Sequence, residues 1–121
     1  MISVILCKHP KNAIDFYENV LGLSLEEDLE NCVSFRIGPN LLTLRPRGPW
    51  SVCDDGPVPP GSAAIQLAFR VPLEAIDRCH EHLLASGVPI LRGPTDLPKW
   101  RHRTVVLRDP EGNIIQIYAE Y

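Results

Sequence analysis

The sequence has no excess of positive charge. Its formal net charge is −3 at pH 7 and its sequence pI is about 5.7, so the basic field that drives sequence-independent nucleic-acid binding is missing. No stretch approaches the roughly 20 apolar residues of a membrane-spanning helix, and the apolar run from Met1 to Lys8 is too short for the charged and apolar regions of a secretory signal. There is also no C-x-x-C pair. Cys7, Cys32, Cys53 and Cys79 are widely spaced, and four cysteines fit either two disulfides or four buried thiols. Without a secretory signal, thiols are expected. Together these absences argue against a nucleic-acid or membrane partner and for a soluble, cytoplasmic protein.

What is present is a chain of 121 residues with 45% hydrophobic content, enough for one compact domain with a real core. Ile2 to Cys7 is a short run rich in β-branched residues, followed by Pro10, whose restricted φ suits the first turn of a helix. From Lys11 to Leu21, Ala13, Ile14, Phe16, Tyr17, Val20 and Leu21 recur at helical spacing, and Gly22 stands where a helix ends. Leu23 to Leu29, Cys32 to Ile37 and Leu41 to Arg45 read as successive antiparallel strands, separated by the turn-prone Glu30-Asn31 and Gly38-Pro39-Asn40. The stretch from Arg47 to Ser62 reads as a loop: Pro49, Pro57, Pro59 and Pro60, with Gly48, Gly56 and Gly61, sustain neither helix nor ladder.

The order of elements then repeats. Ala63 to Val71 reads as a strand, Leu73 to Ser86 as a helix ended by Gly87, and Val88 to Arg92, Arg103 to Arg108 and Asn113 to Ala119 as strands. Pro10 with Ala13-Ile14-Asp15 recurs as Pro72 with Ala75-Ile76-Asp77, and Asn40-Leu41-Leu42-Thr43-Leu44 lies over Asn113-Ile114-Ile115-Gln116-Ile117. The expected fold is α+β: two βαβββ modules, 1–46 and 63–121, joined by a linker at 47–62 in a single domain. Neither half is large enough to bury its own sheet face, so the two are expected to pair into a curved half-barrel with the helices outside and a concave inner face.

Three segments carry a resemblance. Asn12-Ala13-Ile14-Asp15-Phe16-Tyr17-Glu18-Asn19-Val20-Leu21-Gly22-Leu23 resembles the first-helix signature of the vicinal oxygen chelate superfamily, which includes glyoxalases, bleomycin-resistance proteins and extradiol dioxygenases. Asp109-Pro110-Glu111-Gly112-Asn113 resembles the turn before its last strand, and Gln66-Leu67-Ala68-Phe69-Arg70-Val71 takes the place of its fifth strand. The resemblance spans nearly the whole chain. The same residues also have a purely structural reading, Phe16 and Tyr17 as core aromatics and Asp109 to Asn113 as a reverse turn, so the motifs specify fold more than chemistry.

The resemblance implies metal ligands on the inner face of the first and last strand of each half. Here those positions are Val4 (or Ile2), Thr43, Gln66 and Gln116, and none is an imidazole or a carboxylate. Divalent catalytic ions in nitrogen and oxygen sites rely on His, Asp and Glu, so no metal and no cofactor are expected. His80 and His82 fall on different faces of the second helix and His9 precedes the first, so these do not rebuild the site. His102, at the start of a strand within Lys99-Trp100-Arg101-His102-Arg103, is a candidate acid or base, set against an exposed residue of a basic loop. No catalytic residue is assigned.

Strand alternation puts Thr43 with Arg45, Gln66 with Ala68 and Arg70, and Gln116 with Tyr118 and Glu120 on the face away from the helices. Amides, a hydroxyl, a phenol and arginines there suit a small polar or anionic ligand. The bland alternative has Gln66 and Gln116 bonded to each other across the internal twofold and Arg45 and Arg70 paired with Glu120 or solvated. Trp50 and Trp100, in loops, suit ligand stacking or a dimer contact. The resemblance further implies a homodimer. Three functions follow. The first is a metal-free binding protein of the bleomycin-resistance kind. The second is a metal-dependent lyase, isomerase or dioxygenase with a non-standard site, against which the missing ligands count. The third is an interaction protein using the tryptophans and the proline-rich loop.

Overall fold

Residues 2–29, 32–46 and 65–121 are described by a computed structural model of the chain. The proline-rich linker with Trp50 and Cys53, the Glu30-Asn31 turn and the first residues of the fifth strand lie outside the described residues. The chain divides into two compact units, Met1–Pro60 and Gly61–Tyr121.

In the first unit, strands β1 (Ile2–Cys7), β2 (Ser24–Leu29), β3 (Cys32–Ile37) and β4 (Asn40–Pro46) form an open sheet in the order β1-β4-β3-β2. β1 runs parallel to β4, and β2, β3 and β4 are antiparallel. Between β1 and β2 lies helix α1 (Pro10–Asp15), with proline in its first turn as expected. The sequence predicts a regular helix to Leu21, but the last turn, Phe16–Val20, is π-helical. In this wide turn the Leu21 N–H reaches the Phe16 carbonyl at 2.9 Å, and each residue turns through less than the α-helical angle of about 100°. Neighbouring Phe16 and Tyr17 are thereby both buried, with rings edge to face at 5.1 Å. Ile5, Val33, Phe35, Leu42 and Leu44 complete this core, each contributing roughly 1.5–3 kcal/mol by leaving water.

The second unit repeats the plan. Strands β5 (Gln66–Arg70), β6 (Ile90–Leu97), β7 (His102–Arg108) and β8 (Ile114–Glu120) are ordered β5-β8-β7-β6, with β5 parallel to β8. A 3₁₀ turn, Leu73–Ala75, leads into helix α2 (Ile76–Ala85), which packs against β6, β7 and β8. Ile76, Leu83, Val105, Leu107, Ile115 and Ile117 form the core. Gly22 and Gly87, at φ +71° and +73°, end the two helices in the left-handed region, where a residue without Cβ carries no steric penalty.

One strand departs from expectation. The sequence predicts a sixth strand that ends at Arg92, because Gly93 and Pro94 follow, but β6 continues to Leu97. The ladder skips residues between Ile90 and Arg92 and between Arg92 and Thr95. β6 is the edge strand of its sheet, and a proline that has no N–H is tolerated where the register is broken at an edge. The predicted loop from Gly93 to His102 therefore shrinks to a tight turn at residues 98–101, in which the Trp100 N–H donates to the Leu97 carbonyl at 3.0 Å.

Candidate functional site

The apolar residues of each sheet face its helix, so the opposite face carries the polar alternates. In the first unit, register puts Val4, Thr43, Ser34 and Glu27 in one row across the four strands. The Ser34 Oγ and Thr43 Oγ1 lie 2.9 Å apart in a hydrogen bond, and both side chains are buried. Thr43 is thus committed to a neighbour the sequence reading did not single out. Ser34 was missed because its role depends on which residue of β3 lies beside Thr43, and only the pairing register says so. Arg45, two residues along the same face of β4, is half-buried and makes no ion pair among the described residues.

In the second unit the open face gathers more of the expected residues. The Gln66 Nε2 donates to the Gln116 Oε1 at 3.0 Å. This bond joins adjacent parallel strands of one sheet and does not run across an internal twofold. Tyr118 lies between Arg70 on β5 and Thr104 on β7 in the ladder, and His102 pairs with Glu120. The His102 and Tyr118 rings stack with centroids 4.6 Å apart and planes at 30°. His102 is half-buried on the sheet face beside Tyr118, which corrects its reading as an exposed residue of a basic loop. Arg70 Nη2 and Glu120 Oε2 pair at 3.0 Å, with the two side chains 64% and 51% exposed. Trp100 is 66% exposed in its turn and makes no ring contact among the described residues, and Trp50 lies outside them.

The opposite face is held by charge as well as apolar packing. Arg103 of β7 bonds Asp96 of β6 at 2.9 Å and Asp77 of α2 at 3.2 Å; these bonds, with Asp96 first, raise the guanidinium pKa above its ordinary value. Asp109 closes the turn before β8: its carboxylate accepts from the backbone N–H groups of Glu111 and Asn113 and from the Asn113 amide.

The positions at which the resemblance implies metal ligands do not suit one. Val4 is hydrocarbon and 46% exposed, Thr43 is bonded to Ser34, and the two glutamine amides are bonded to each other. None of these groups is anionic, so nothing there offsets the ion's lost hydration. Among the described residues no group of three or more His, Cys, Asp or Glu side chains is arranged to hold a metal ion. Nor is any described helix long and apolar enough to cross a membrane.

Two open four-stranded sheets, each a β-helix-βββ unit with its parallel pair at one edge, define a class. A sequence model of the Glyoxalase/Bleomycin resistance protein/Dioxygenase superfamily matches residues 3–117, and the chain belongs to that superfamily. The chain is 28% identical over 113 residues to the uncharacterized protein YraH of Bacillus subtilis (strain 168), covering 89% of this chain and 88% of that one. A glyoxalase/bleomycin resistance protein/dioxygenase from Nocardioides shares the fold with a TM-score of 0.83 at 19% identity, over 99% of this chain and 82% of the other. A lactoylglutathione lyase from Agrobacterium tumefaciens (TM-score 0.78, 24% identity, 98% and 91% covered) and TioX from Micromonospora sp. ML1 (0.80, 22%, 100% and 98%) share it as well.

Proposed function

We propose that this protein binds a small polar or anionic molecule, without a metal, on the sheet faces its helices leave open, acting in the cytoplasm as a homodimer. The observation that carries this reading is the constellation on the second sheet. A stacked His102–Tyr118 pair has Arg70 beside it in register, and the phenol and imidazole make no other hydrogen bond or ring contact among the described residues. Such a face offers a flat aromatic surface, hydrogen-bonding tips and a positive charge, the small set of oriented polar groups a ligand site needs. On the first sheet, Arg45 is a half-buried cation without an ion pair among the described residues. Cys7, Cys32 and Cys79, which form no disulfide among the described residues, support a reducing compartment. Exposed Ile2 and Val4 on an edge strand support burial against a second copy.

The test is a thermal-shift screen of small anions and polar metabolites, followed by titration of Arg45→Ala and Gln66→Ala. Both variants are expected to keep the fold, because neither side chain is in the core, and the variant on the sheet that carries the hit is expected to bind it at least threefold more weakly. Unchanged affinity in both variants would reject these faces. Metal analysis of protein purified without chelator, with Zn, Ni, Mn and Fe(II) titrations, tests the other half. Stoichiometric metal retained by the wild type and lost in Gln116→Ala would instead support a lyase, isomerase or dioxygenase with a non-standard site.

A further inference from the structure

At the end of the second sheet, where β5 and β8 finish side by side, lies an open cleft of about 360 Å³ lined by Arg70, Val71, Pro72, Leu73 and Glu120. Its two kinds of wall differ in chemistry. Val71, Pro72 and Leu73 are apolar, and Leu73 is left 43% exposed. Arg70 and Glu120, the last residues of their strands, face each other as an ion pair. The strand end beneath them is held by the Val71 N–H, which donates to the Tyr118 carbonyl at 2.9 Å. A guanidinium set beside exposed hydrocarbon matches a carboxylate carrying a compact apolar body, and the volume is at the small end of ligand sites.

We propose that this cleft is a carboxylate subsite and that Glu120 is the ligand's internal competitor, holding the Arg70 guanidinium until a ligand carboxylate displaces it. The proposal rests on the binding function above and specifies its ligand class: small monocarboxylates with an aromatic or short aliphatic body. An ion pair with both side chains more than half exposed is held by a factor of about five or less, so exchange of one carboxylate for another costs little. The exchange is a substitution of anions on one cation, with no proton or covalent bond transferred. Desolvation of the apolar body against Val71 and Leu73 supplies the preference of a ligand over Glu120.

A purely structural ion pair predicts something different, and the sign of one substitution separates the two. Glu120→Gln keeps the shape of the side chain, frees Arg70 and removes a like charge from the ligand's path. Binding of benzoate and hexanoate, followed by amide shifts in NMR titrations, is expected to tighten about threefold to tenfold in Glu120→Gln and to weaken at least tenfold in Arg70→Gln. Benzyl alcohol, which lacks the charge, is expected to bind all three proteins alike and weakly, and added salt is expected to weaken benzoate. Both substituted positions are exposed, so circular dichroism is expected to show the wild-type fold. Benzoate affinity unchanged or reduced in Glu120→Gln, shifts that bypass Val71 and Leu73, or no benzoate binding in Glu120→Gln would overturn the proposal. If a screened anion still binds in a manner weakened by Arg45→Ala or by Gln66→Ala, the subsite alone falls and the broader function stands.

Discussion

At the scale of single residues, the site residues divide by whether their partners are local or brought in by pairing. The amide pair Gln66–Gln116 was legible as an alternative, because both residues sit on alternating strands whose polar face the sequence shows. The Ser34–Thr43 pair was not, because β3, Cys32–Ile37, alternates in a way that leaves its register against β4 open. A charge pair on the first sheet provides a test at this scale. Glu26 accepts from Arg36 at 2.9 Å; this hydrogen bond, and then the positive charge itself, lowers the Glu26 pKa below its ordinary value. The carboxylate is therefore favoured in the folded state. Its contribution is present above the ordinary, unfolded titration range and is lost as pH falls through the lower folded value. Arg36→Gln is expected to move the Glu26 midpoint, followed by NMR, back up to the ordinary range, and its stability deficit is expected to shrink as the solution is acidified through Glu26's titration. An unmoved midpoint would mean that the pair does not form in solution.

At the scale of elements, caps were readable and irregularities were not. Gly22 and Gly87 mark helix ends in the sequence and lie at positive φ in the structure, because a Cβ there would crowd the following carbonyl. At Gly87 an added Cβ meets nothing within 4 Å, so Gly87→Ala tests backbone strain alone. It is expected to lower unfolding stability by about 1 kcal/mol in urea, and a neutral result would argue against a left-handed cap. The π-helical turn at Phe16–Val20 and the broken register of β6 gave no such sign. Both arise where the core requires a displacement that intrinsic preference does not encode: two adjacent rings both turned inward in one case, and a proline carried on an edge strand in the other. Trp100 illustrates the consequence, since the longer β6 turns its expected loop into a tight turn that leaves the indole exposed.

At the scale of the whole molecule, two units with the same strand order place the chain in the Glyoxalase/Bleomycin resistance protein/Dioxygenase superfamily. For the proposed dimer, sedimentation equilibrium is expected to give about twice the chain mass of 13.5 kDa, and Val4→Glu is expected to shift the equilibrium toward monomer by placing a charge on the exposed edge of β1. A wild-type monomer at all concentrations would reject that assembly. The sequence by itself determined the repeated β-helix-βββ order, the helix ends and the lack of anionic side chains at Val4, Thr43, Gln66 and Gln116, because these follow from local periodicity, glycine placement and residue chemistry. Only the tertiary structure decided that Ser34 occupies Thr43, that His102 stacks on Tyr118 and that Glu120 sits on Arg70 beside a cleft. These partnerships depend on strand register and on side chains from distant parts of the chain meeting across a sheet, and the hydrophobic pattern of one strand does not specify them.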